Sequence, residues 1–223
     1  MPILVYRRVE LAGASRLGLA VGASCFKMLR FVPFTARQPF MIEPTPRRHG
    51  PWTIRETRQV YRDPWVAVHR DEVTRPDGLP GSYCVVNLKH GVCVVAVDEQ
   101  RRIHLTEEFH YGVGRVTLEA VSGGIEEGDD SDATARRELA EELGITAATW
   151  TSLGNVDPFT SNVVSPTRLY LATGLSFGEA STEGTEVIRH VVMPLAEAVE
   201  AVLESRITHA PTCVAILKAE RLL

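Results

Sequence analysis

The chain predicts a mixed α/β fold, and three observations carry that expectation. Short apolar or alternating runs, punctuated by Pro, Asp and Gly, recur at strand length from Trp52 to Val121. Helical spacing is confined to a segment ending at Gly144 and to Leu195–Ser205 and Thr212–Leu222. More strand-like runs separate the first of these from the other two. Strands interspersed with few helices make a mixed sheet with helices packed on it.

Taken in order, residues 1–40 stand apart. Arg7, Arg8, Arg16, Lys27, Arg30 and Arg37 are accompanied there by one acid, Glu10. Lys27 and Arg30 interrupt the apolar stretch Leu17–Phe34, which argues against a membrane span. The stretch reads as a poorly structured extension, either a targeting segment or the product of an overlong start with translation beginning at Met41. Residues 41–89 read as an N-terminal strand layer and 90–223 as the main domain. Trp52–Tyr61 and Trp65–Thr74 alternate like strands on either side of Asp63-Pro64, and Pro76-Asp77-Gly78 is a turn leading to a strand over Ser82–Leu88. Val92–Val97 is uninterruptedly apolar, as a strand buried on both faces would be. Ile103–Phe109 and Thr117–Val121 follow as strands, then a helix, then strands at Thr149–Val156, Arg168–Ala172 and Val187–Val192.

Composition sets the bounds. A chain of 223 residues, 44% hydrophobic and 23% charged, suits one globular domain with a substantial core. A net charge of −4 gives no reason to expect sequence-independent nucleic-acid binding, which needs a basic surface. Cys25, Cys84, Cys93 and Cys213 lack metal-ligand spacing, and Cys84 and Cys93 read as small core residues. A reduced, cytoplasmic setting fits this cysteine usage.

The chemistry is concentrated between Gly123 and Ile145. From Glu138, steps of three and four residues reach Glu141 and Glu142, which places three carboxylates on one helix face. Ala135, Leu139 and Leu143 form a separate apolar stripe. Clustered like charges oppose folding unless a cation reverses the balance, and hard oxygen donors suit Mg²⁺, with Mn²⁺ as the alternative. Gly123 and Gly124 permit backbone geometry closed to other residues, Asp130 or Ser131 can cap the helix start, and Gly144 stands at its end. Arg137 can orient a carboxylate or balance its charge.

This segment resembles the Nudix box: Gly, five residues, Glu, seven residues, Arg-Glu, aliphatic, any residue, Glu-Glu, any residue, Gly, aliphatic. One position departs from the pattern, with Asp129 where the family has Glu. The resemblance covers residues 50–223 and implies an α/β/α sandwich with a mixed sheet and an N-terminal β-strand extension. It implies hydrolysis of a diphosphate linked to another group. Glu138 and Glu142 would be the principal metal ligands, Glu141 a ligand or water-orienting group, and the Ser122 carbonyl a further ligand. The segment Arg102–Arg115 followed by Leu118-Glu119 resembles ADP-ribose and other nucleoside-diphosphate-sugar pyrophosphatases, which implies such a substrate and a homodimer. There, His110 stands where that subfamily places a phosphate-binding arginine, and Arg115 is its potential substitute. Trp52, or less favourably Trp65, is the expected aromatic platform for the base. The subfamily's loop glutamate is replaced by Thr167, which leaves Glu141 first and Asp157 second as the expected general base. A nucleotide-sugar binding module without catalysis, and a hydrolase of another nucleoside diphosphate derivative, are the alternatives. His69, His90 and His209 show no ligand spacing and receive no role.

Overall fold

Twelve strands and three helices account for the regular structure of the computed structural model, which describes residues 46–182 and 187–223. The expectations for residues 1–40, and for a start at Met41, fall outside the described residues.

Two sheets organise the chain. The first has the order β1-β2-β3-β4-β10, from β1 (Arg47–His49), β2 (Trp52–Arg62), β3 (Val66–Thr74), β4 (Pro80–Leu88) and β10 (Val163–Val164). Asp63 breaks the chain between β2 and β3, its carboxylate accepting the Trp65 and Val66 amides at 2.8 and 2.7 Å. The two-residue β10 arrives from the far end of the sequence and pairs in parallel with Val86 and Asn87. Nothing in its local sequence marks it as a strand.

The second sheet has the order β12-β6-β5-β11-β9, from β5 (Gly91–Val97), β6 (Arg102–His110), β9 (Ile145–Val156), β11 (Thr167–Phe177) and β12 (Arg189–Pro194). Strand β5 is the spine, parallel to β11 and antiparallel to β6. Its pairing with β6 is confined to Ala96–His104 and Val97–Ile103, after which the two separate. The gap admits β7 (Arg115–Glu119) against β6 and β8 (Val121–Gly124) against β5. The single strand expected over Thr117–Val121 is therefore two strands, broken at Ala120 where the chain changes partner.

Alternate residues of β5 serve two cores, as its unbroken apolar run requires. Cys93, Val95 and Val97 face α2 (Leu195–Leu203) and α3 (Ala210–Leu222), with Ile103, Leu105, Leu169 and Ile216. Val92, Val94 and Ala96 face α1 (Ser131–Leu143), whose Ala135, Leu139 and Leu143 are all buried against them. Helices thus cover both faces, in an α/β/α sandwich. Cys93 lies in this core, whereas Cys84 is exposed on β4. That corrects the core expectation for Cys84: β4 belongs to the sheet without helices on it.

Candidate active site

Helix α1 begins where Asp130 holds extended backbone at φ −87° and ψ 140°. Its carbonyl, rather than its carboxylate, serves the first turn, accepting the Thr134 amide at 2.9 Å and the Thr134 hydroxyl at 3.1 Å. The side-chain cap expected of Asp130 is not made. The helix ends at Gly144, left-handed at φ 64°, where a Cβ would stand 2.5 Å from the Gly178 carbonyl oxygen. The chain after β11 braces this end, with Gly178 N–H on Gly144 O at 2.7 Å and Ser181 N–H on Glu141 O at 2.8 Å.

With one face of α1 buried, the acidic face is turned toward β8 and solvent. Arg137 joins two of its carboxylates, donating to Glu138 Oε1 and Glu141 Oε2 at 2.7 Å each. Partial burial opposes the guanidinium charge, but the two carboxylates prevail and hold its pKa above the ordinary arginine value. The Glu138 side chain is only 14% exposed and lies directly over Gly123. A Cβ on Gly123 would fall 2.1 Å from Glu138 Cδ and 2.2 Å from its Oε1. Space, not backbone conformation, sets this position: Gly123 has no left-handed backbone, but a side chain there would have to move the Glu138 carboxylate, the end of a flexible side chain.

The donor set fits a hard divalent cation. Glu138 lies over Gly123, the residue after Ser122 on β8, and Glu141 and Glu142 follow it on the same helix, so hard oxygen donors are the groups this face offers. Among the described residues no three His, Cys, Asp or Glu side chains close into a finished metal cluster. Arg137 turns Glu138 Oε1 and Glu141 Oε2 toward its guanidinium. Lys89 adds positive charge at the rim, 2.6 Å from Glu126 Oε1, and its hydrogen bond holds the Glu126 carboxyl below the usual range.

The remaining predicted residues fall in three places. His110 and Arg115 are register partners at the end of the β6–β7 hairpin. Arg115 donates to the Thr208 hydroxyl at 2.9 Å, while His110 Nδ1 lies 2.8 Å from Thr117 Oγ1. Trp52 stands edge-on to Tyr83, centroids 5.7 Å apart, in a cleft of about 410 Å³ on the first sheet whose lining includes Ile54, Asp71, Val73 and Asn162. Tyr83 OH donates to the Ser161 carbonyl, which ties this sheet to the segment after β9. Thr167 is not a loop residue: it opens β11, is buried, and faces Gly91. Asp157 is exposed just beyond β9. Sequence reasoning passed over Gly123 as the seat of Glu138. It also passed over His209, whose Nδ1 lies 3.0 Å from Glu119 Oε2 across 90 residues of sequence with no spacing signal.

Comparison with known proteins matches residues 87–212 to the NUDIX domain and residues 52–86 to the nucleoside diphosphate sugar hydrolase N-terminal domain. The chain is similar to the ADP-ribose pyrophosphatase of Mycobacterium tuberculosis (strain ATCC 25618 / H37Rv), 32% identical over 68% of this chain and 74% of that protein. It is also similar to the methanol dehydrogenase activator of Bacillus methanolicus, 28% identical over 72% of this chain and 88% of that one. A solved structure described as an ADP compounds hydrolase shares the fold, with a TM-score of 0.68 at 23% identity, covering 77% of this chain and 94% of the other.

Proposed function

We propose that this chain, which belongs to the Nudix family, hydrolyses the diphosphate of a nucleoside diphosphate sugar, with ADP-ribose as the leading substrate. The products are a nucleoside monophosphate and a sugar phosphate. The observation that carries the reading is the acidic face of α1 set over Gly123, in a chain that also matches a nucleoside diphosphate sugar hydrolase N-terminal domain. Similarity to an ADP-ribose pyrophosphatase supports the substrate.

Glu138, Glu142, Glu141 and the Ser122 carbonyl would hold the metal, Mg²⁺ first and Mn²⁺ second, which when bound would supply positive charge to the diphosphate and acidify the attacking water. Arg137 keeps Glu138 and Glu141 oriented from their outer side. Glu141 takes the proton from the water; at 37% side-chain exposure it is the more open of the two carboxylates that Arg137 binds. His110 and Arg115 face the phosphates, and Trp52 stacks on the base.

The first sheet is also the dimerisation surface of a homodimer. Val60, Tyr61 and Trp65 are exposed on or beside β2 and β3, and two copies would bury them together. No described helix is long and apolar enough to cross a membrane. The cytoplasm is proposed from cysteine usage, four cysteines without paired spacing suiting a reduced setting. A non-catalytic nucleotide-sugar binder is the second reading, favoured by His110 in place of an arginine.

A substrate panel with the full chain in Mg²⁺ separates the two. Hydrolysis is read as phosphate released only after a phosphatase is added. ADP-ribose should be cleaved to AMP and ribose 5-phosphate. Tight binding without turnover establishes the binder, and cleavage confined to nucleoside triphosphates removes the sugar-diphosphate assignment.

A further inference from the structure

We propose that Thr212, on helix α3, is a positioning residue for the metal seat: its hydroxyl holds the strand switch at Ala120 and so fixes where Ser122 and Gly123 lie beneath Glu138. The proposal rests on the metal reading above and adds to it a residue from the opposite face of the sheet.

Ala120 is where the chain leaves one ladder for another. Glu119, before it, is the register partner of Thr106 on β6, and Val121, after it, is that of Val94 on β5. Ala120 belongs to neither pairing and is 1% exposed. A buried amide and carbonyl outside a ladder need other partners. Two hydroxyls supply them. The Ala120 N–H donates to Thr212 Oγ1 at 3.0 Å, across 92 residues of sequence, and Ser122 Oγ donates to the Ala120 carbonyl at 2.9 Å. Thr212 is fully buried, and its hydroxyl is held from its own side by His209 Nδ1 at 2.9 Å and Cys93 Sγ at 3.9 Å.

Strand β8 needs such a pin because it carries little to fix its own register. Its four residues are Val-Ser-Gly-Gly, and the glycines have no side chain to bury. Glycine-rich strands slip, and a slip of one residue turns every side chain to the other face. Here it would take Gly123 from beneath the Glu138 carboxylate. The far end of β8 is tied by the Ile125 N–H, which donates to the His90 carbonyl at 2.8 Å. The near end is tied by Ala120 to Thr212. Ser122 and Gly123 lie between the two ties.

The near tie comes from across the sheet. Cys93, the register partner of Ser122, faces the α2–α3 core, whereas Val92, the partner of Gly123, faces α1. Thr212 therefore approaches from the side away from Glu138, and its action on the seat runs through the main chain from Ala120 to Ser122. Without the hydroxyl, the Ala120 amide is left unpaired, which favours states of β8 in which it finds another partner. Metal then binds only the fraction still in register, and its apparent affinity falls by that fraction.

The test uses the full chain and reads the Kd of Mn²⁺ without substrate, amide hydrogen exchange over 120–123, and the melting temperature. Thr212→Val keeps the shape and removes the hydroxyl. It should raise the Mn²⁺ Kd by about tenfold, the order of one buried hydrogen bond, and speed exchange at Ala120 through Gly123. Thr212→Ser should restore both. Ile216→Val, on the same helix and equally buried, should lower the melting temperature and move neither. Should Thr212→Val not fold, Ser122→Ala decides, with the same two readings moved in the same direction by about twofold. Wild-type Mn²⁺ affinity in the variant that removes the hydroxyl, or an equal rise in Ile216→Val, overturns the proposal. A wild-type chain that binds no Mn²⁺, or binds it as well after Glu142→Gln, overturns the metal reading instead, and exchange over 120–123 then decides whether Thr212 holds the switch.

Discussion

The two sheets of this protein put similar strands to opposite uses. Strand β5 is buried on both faces, between α1 and the α2–α3 pair, and every residue from Val92 to Val97 is at most 2% exposed. The first sheet has no helix on it and leaves Val60, Tyr61 and Trp65 more than half exposed. Close packing on both faces gives the rigidity that metal chemistry needs, because a misplaced ligand loses charge stabilisation steeply. On the proposed function, the packed sheet carries the reaction, and the open sheet with its aromatic cleft is the surface proposed for recognition of the base and for the homodimer.

The sharpest way to break this division is at the packed sheet. Glu142→Gln should fold normally and lose roughly 10²-fold or more in turnover, since a ligand and a charge go together; full activity in that variant, or in excess EDTA, would falsify the metal assignment. Gly123→Ala should come close to it, because the new methyl occupies the place of the Glu138 carboxyl, 2.1 Å from its carbon. Normal activity and metal affinity in Gly123→Ala would mean that Glu138 works from another rotamer.

A second comparison sharpens the roles within the site. Glu141→Gln should cost about 10²–10⁴-fold in kcat, the range for a general base, and Asp157→Asn much less. The opposite order moves the base to the segment after β9.

On the open sheet the effects should be smaller and of another kind. Trp52→Ala should raise KM for ADP-ribose by about tenfold, the order of one lost stacking contact, and leave kcat nearly unchanged. Light scattering at micromolar concentration should give twice the chain mass. A monomer there would remove the assembly role of the Val60–Trp65 surface.

The smallest effect is on stability. Burial, helped by His190 at 2.9 Å, holds the His104 imidazole below the ordinary histidine value, with Asp98 opposing. The fold therefore prefers the neutral ring, and the unfolded chain takes up the proton first. Stability is complete above the unfolded value of about 6.5 and is lost as pH falls toward the folded one. Melting should drop by a few degrees between pH 7.5 and 5.5, and by less in His104→Gln. Identical drops in both proteins would place the titration elsewhere.

Local chemistry made much of this readable in one dimension. The carboxylate face of α1, its apolar stripe and the stop at Gly144 follow from 3.6-residue periodicity and from the backbone freedom of glycine, so they could be seen in residues 123–145 alone. The two-faced burial of β5 was legible for the same reason, as an apolar run without alternation. Other features depend on pairings between residues far apart, and no local period encodes them. Strand β10 exists only because Val163 meets Val86. The split of the Thr117–Val121 segment follows from the divergence of β5 and β6. Cys84, apolar in its run, is exposed because no helix covers its sheet. Gly123 looked like a flexible turn and proved to be the seat of Glu138, fifteen residues on. His209, without any spacing to notice, meets Glu119 because α3 packs back across the sheet. Periodicity governs what one segment can bury; which distant atoms then touch is decided by how the buried faces stack.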